Sequence, residues 1–189
     1  MENTKTKRLS TKSMVLCAMF TALVAVGAFI QIPVPYMDYF TLQFFFVLLA
    51  GLILGADKGA ISVGCYVLLG LVGVPIFAAG GGIGYIFRPS FGYLVGFIAS
   101  AFVTGKICEK LKASYKNYLL ACLAGFVVTY AIGIVYKFII LNFYAHTPAT
   151  IAVIFLSCFP LDMPGDFVLC LLASGVGLKM RKNGFCLNE

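Results

Sequence analysis

The chain has 189 residues, of which 61% are hydrophobic and 11% charged, and its formal net charge is +7. A soluble domain carries about 25% charged and 45–50% apolar residues, so a water-soluble fold of this length has nowhere to hide so much apolar surface. These proportions predict an all-α integral membrane protein and make the positive charge a report on topology rather than on nucleic acid, for which no role is expected.

A bilayer core about 30 Å thick needs around 20 helical residues, and six segments qualify as transmembrane helices. The basic leader MENTKTKRLSTKSM lacks a small-residue cleavage site at the right distance, so residues 1–13 read as a cytoplasmic tail rather than a removable signal. The first span runs over residues 14–32 and ends at PVPYMD. The second covers 41–56, after which ADKG reads as a tight turn. The third covers 60–74 and stops at Pro75. Next comes GGGIG, either a mobile lid or a tight re-entrant turn, because glycine tolerates positive φ and lets the backbone approach a ligand closely. The fourth span is 91–107, followed by the basic loop KICEKLKASYK. The fifth is 118–141, followed by the polar link NFYAHTPAT. The sixth is 151–178, with Pro160 and Pro164 breaking or kinking its start. The six-helix membrane domain is therefore 14–178, and 179–189 form a second cytoplasmic tail.

Threading six spans from a cytoplasmic N-terminus leaves 12 of the 14 lysines and arginines inside, with Arg88 and Lys137 as the other two. The opposite threading violates the positive-inside bias, so both termini are expected in the cytoplasm of a multi-pass cell-membrane protein. Small residues recur four apart at Ala18 and Ala22, Gly51 and Gly55, and Gly92 and Gly96. Such pairs let helices approach closely in lipid. They serve packing within the bundle or, for the run Ala18, Ala22 and Ala25, a docking face for another subunit.

The charges not explained by topology gather toward the outer half. They are Arg88 before the fourth span, Lys137 late in the fifth, Asp162 and Asp166 at the start of the sixth, and Asp38 in the first outer link. Ionisable groups near the hydrocarbon are costly and face a partner or a wet cavity, so they suit a pocket for a ligand with an anionic end and hydrogen-bonding groups elsewhere. The competing reading is that Lys137 snorkels to the headgroups and that Asp38 and Asp162 are ordinary surface residues. Gln43 bonds either a ligand or a neighbouring helix. Phe77, Tyr85, Phe87 and Phe91 around the glycines offer apolar walls. The seven cysteines are scattered and His146 is the single histidine, so no metal site, disulfide framework or other cofactor is expected. No nucleophile, metal or ATP-binding motif is readable either, which argues against an enzyme; uphill transport would draw on a partner or an ion gradient.

The stretch from TLQFFFVLLAGL to PSFGYLVGF (41–97), together with AGFVVTYAIG (124–133) and FPLDMPGDFVLCLLAS (159–174), resembles the biotin-specific substrate-binding components of energy-coupling factor transporters, the BioY family. The resemblance implies a six-helix protein that captures biotin at its outer face. It also implies a transmembrane coupling subunit and two ATPase subunits as partners, with ATP used only by the latter. Ala18 and Ala22 match that family's contact with the coupling subunit. Pro164, Gly165 and Asp166 match its pocket motif, while Leu169 stands where it has a lysine. On this resemblance Asp166 accepts from ureido N–H groups and Arg88 holds the carboxylate, with Lys137 as the alternative cation. The same scaffold with another small vitamin-like anion is the rival, and a membrane enzyme the more distant one.

Overall fold

The computed structural model of the chain describes residues 10–32, 40–145, 147, 149–158 and 162–184. Asp38, His146, Pro160 and Cys186 lie outside the described residues, as do most of the two tails. Helix α1 (Thr11–Phe29) starts where the Ser13 N–H donates to Ser10 Oγ at 3.2 Å, which satisfies one donor orphaned at a helix start. It begins three residues before the expected span and ends at Phe29. Residues Gln31–Ile32 (β1) then pair antiparallel with Phe40–Thr41 (β2), Gln31 opposite Thr41.

Helix α2 (Gln43–Leu54) follows, and ten of its 12 residues are buried. A helix apolar on every side belongs inside a bundle, and α2 packs against α1, α3, α4 and α7 alike. At 1.5 Å per residue it is only about 18 Å long, so it forms a central post rather than a full-length span. Gly55, with φ of 84°, turns α2 directly into α3 (Ala56–Val72). ADKG is therefore the first turn of α3, not a loop. Asp57 suits the positive end of the helix, and Glu109 Oε1 accepts from the Ala56 N–H at 2.9 Å.

Beyond α3, Gly73 adopts the left-handed cap. Phe77 and Gly80 exchange backbone hydrogen bonds, and the Gly82 N–H donates to Gly70 O at 2.7 Å. Gly80 and Gly82 sit at φ of 111° and 102°, a region that disfavours side chains. Of the two readings of GGGIG, the chain here takes a tight turn folded back on α3, leading into a 3₁₀ helix at Ile83–Phe87.

Helices α4 (Phe91–Lys110) and α5 (Tyr115–Ile139) pack along most of their length, and α5 continues as a π turn through Ile140–Tyr144. The expected sixth span is two helices, α6 (Ile151–Cys158) and α7 (Asp162–Lys182). Pro164 does not break α7, because it stands in the first turn, where its missing N–H has no partner to lose. Among the described residues four helices are long and apolar enough to cross a membrane: α1, α4, α5 with its π extension, and α7.

The surface and interior reverse the soluble pattern. Val15, Met19, Leu68, Val127, Val135 and Leu172 are exposed, while Ser62, Ser100, Thr104, Thr129 and Ser174 are buried. The chain is membrane-embedded, and of these small polar groups Ser62 and Thr104 bond across helices. Between α1 and α3, for example, Thr21 Oγ1 donates to Ser62 O at 2.8 Å and Ser62 Oγ to Cys17 O at 2.8 Å. The glycine pairs are internal contacts. A Cβ at Gly51 would meet Ala101 O at 2.6 Å, and one at Gly96 would meet Thr129 O at 2.9 Å. Ala18 and Ala22, by contrast, are exposed on the outer face of α1.

Candidate functional site

The starts of α2, α4 and α7 and the end of α5 surround a cavity of about 410 Å³, large enough for a small molecule. Two glycines make room for its aromatic walls. A Cβ at Gly165 would lie 2.6 Å from the Phe40 ring, and one at Gly133 would collide with the ring of Tyr93. Phe44 and Phe97 add apolar surface, their rings stacked at 5.9 Å between centres.

The polar groups fall into two tiers. In the first, Tyr130 on α5 donates its O–H to Asp166 Oδ2 on α7 at 2.8 Å. Both residues are almost fully enclosed, at 5% and 9% exposed. The Tyr130 ring meets Tyr93 edge-on, centres 5.8 Å apart, and lies tilted against Phe126 at 4.7 Å. Contacts further along, Cys170 with Cys122 and Arg181 with Tyr118, show α5 and α7 running antiparallel. Lys137, seven residues beyond Tyr130, is thus about 10 Å nearer the start of α7. Asp162, one turn before Asp166, is about 6 Å nearer it. Lys137 and Asp162 form the second tier, where Lys137 Nζ donates to Ser157 Oγ at 3.4 Å.

Of the residues expected from sequence, Gln43, Tyr85, Lys137, Asp162 and Asp166 line the cavity. Gln43 bonds a neighbouring helix at the same time: its Nε2 donates to Tyr66 Oη at 2.6 Å, while its Oε1 accepts from Thr41 Oγ1 at 3.1 Å. Tyr66 Oη in turn donates to Ile76 O at 3.1 Å, so the amide is fixed in orientation. Phe77 does not line the cavity. It is buried behind Tyr85, ring centres 4.5 Å apart, and against Tyr66. Arg88 does not line it either; it is exposed, with its guanidinium carbon 5.3 Å from the centre of the Tyr85 ring.

Sequence reasoning missed Tyr93, Tyr130 and Ser90, which all line the cavity. A signal existed for part of this. Ser90, Tyr93, Leu94 and Phe97 recur at helical spacing and so share one face of α4. Two buried oxygens beside the cavity, Ser90 Oγ and Asp162 Oδ1, have no hydrogen-bond partner among the described residues, and such atoms are costly unless something satisfies them.

The model of the BioY family matches residues 2–184. A probable biotin transporter BioY of Lysinibacillus sphaericus is 39% identical over 177 residues, covering 93% of this chain and 90% of the relative. The biotin transporter BioY of Thermotoga maritima is 44% identical over 136 residues, covering 71% and 77%. A crystal structure of the S-component for biotin from an ECF-type ABC transporter superposes with a TM-score of 0.80 at 24% identity, covering 93% of this chain and 95% of that one. It shares the fold. Matched by the family pattern along nearly its whole length and by close relatives over most of it, this chain belongs to the BioY family.

Proposed function

We propose that the chain is the substrate-binding component of an energy-coupling factor transporter and that it captures biotin. It binds its ligand without chemical change, and its relatives are named as transporters. The observation that carries the reading is the two-tier cavity, with an aspartate–tyrosine pair at one end and a lysine about two helical turns further along α5. Biotin has matching parts: a ureido group with N–H donors, an apolar ring and chain, and a carboxylate. In this reading Asp166 accepts from the ureido group, and Phe44, Tyr93 and Phe97 cover the ring. Lys137 receives the carboxylate, Asp162 and Gln43 complete the polar lining, and Arg88 with Tyr85 flanks the mouth.

The wider reading has six membrane crossings, with α2 and α3 as the short members. Both termini lie in the cytoplasm, and the cavity opens outside the cell membrane. The exposed alanines Ala18 and Ala22 on α1 meet a transmembrane coupling subunit, and two ATPase subunits spend the ATP. The deciding experiment is calorimetric titration of the detergent-purified, folded chain. Saturable heat with biotin supports the reading. Silence with biotin but heat with another vitamin-like anion transfers the scaffold to that ligand, and silence with all of them ends the reading.

A further inference from the structure

We infer that Tyr130 is a positioning residue: its hydroxyl locks the Asp166 carboxylate so that one oxygen is held and the other is presented to an N–H donor of the ligand. The inference rests on the biotin reading above. Asp166 Oδ2 accepts from Tyr130 Oη at 2.8 Å, and no other hydrogen bond to this carboxylate is made among the described residues. A carboxylate held at a single point by a rigid donor keeps its plane, which directs the remaining acceptor along a fixed line. The donor here is rigid because Tyr93 and Phe126 both pack against the Tyr130 ring, and Tyr130 is almost fully enclosed. That packing uses the ring and not the oxygen, so deleting the hydroxyl leaves it in place. Once Tyr130 has donated its proton, its phenolic oxygen can only accept. This end of the cavity then presents acceptors from both members of the pair, and it selects a head group that donates, as a cyclic urea does, over one whose nitrogens are alkylated.

The test is a double-mutant cycle on the full chain in detergent, read by biotin affinity. The Tyr130→Phe variant is expected to bind about tenfold more weakly, the scale of one charge-assisted hydrogen bond. In an Asp166→Ala background the same change is expected to shift affinity less than about twofold, because a positioning residue has nothing left to position. A second measurement uses biotin methylated on a ureido nitrogen. Wild type should discriminate strongly against it, and Tyr130→Phe should discriminate less. Tyr130→Leu also removes the donor and serves if Tyr130→Phe fails to fold; its loss should likewise shrink in the Asp166→Ala background. An unchanged affinity in both variants, or an equal loss with and without Asp166, overturns the inference while leaving biotin binding intact. No saturable binding by folded wild type overturns the biotin reading, and this inference with it.

Discussion

Lys137 is the single cation among the described residues lining the cavity, whereas Arg88 is exposed beside Tyr85. A lysine inside a site loses its hydration and gains most from an anionic partner, while a solvated arginine is screened. Lys137→Met is therefore expected to weaken biotin binding roughly 10- to 100-fold, and Arg88→Ala by less than about threefold, in parallel titrations. The reverse order would hand the carboxylate to Arg88. Charged residues in an apolar chain are conspicuous because their burial costs so much, which is why Asp162, Asp166 and Lys137 were legible from sequence. Tyr130 and Ser90 were not, since tyrosine and serine occur as readily in helix packing as in sites. Arg88 and Phe77 were misplaced for a different reason. Phe77 lies between left-handed glycines and Arg88 just past the short 3₁₀ helix, where direction changes within a few residues and no sustained periodicity tells which side chain points inward.

Apolar periodicity located the helices, and at the level of elements the errors fall where one residue sets a boundary. ADKG looks like a turn because it is polar between two apolar runs, yet the chain reverses at Gly55 and Ala56 begins the next helix. The information that settles this is distant in sequence: Glu109 on α4 caps α3 through the Ala56 N–H. Glu109→Ala is expected to lower stability by about 1 kcal/mol, typical of a lost cap, seen as a drop of a few degrees in the melting temperature in detergent. Biotin affinity should stay unchanged, since Ala56 lies at the far end of α2 from Gln43 and the cavity. A concurrent loss of affinity would mean that α3 transmits its position to the site. Pro164 was read as a breaker or kink, yet it sits inside the first turn of α7. The π turn at Ile140–Tyr144 was not legible, because a one-residue change in hydrogen-bond register leaves no pattern in composition.

For the whole molecule, an apolar surface facing lipid was implied by composition alone, while the buried small polar residues and the enclosure of α2 were not. Only the packing of α1, α3, α4 and α7 shows that a 12-residue helix suffices. The outer face of α1 carries its own expectation. Ala18→Trp and Ala22→Trp place bulk on an exposed surface remote from the cavity. Each should leave biotin affinity of the isolated chain unaltered and cut uptake by cells supplying the coupling and ATPase subunits by more than about tenfold. Normal uptake by both variants would remove α1 as the docking face.

The walls of the cavity come from α2, α4, α5 and α7, segments far apart along the chain. A ligand lodged there would touch all four of these helices at once. At a hundred times its dissociation constant it should add about 2.7 kcal/mol to resistance against unfolding. The empty protein is then the vulnerable form, first to lose its shape on heating and first to be cut by proteases, and a starved cell would hold more of it in that condition.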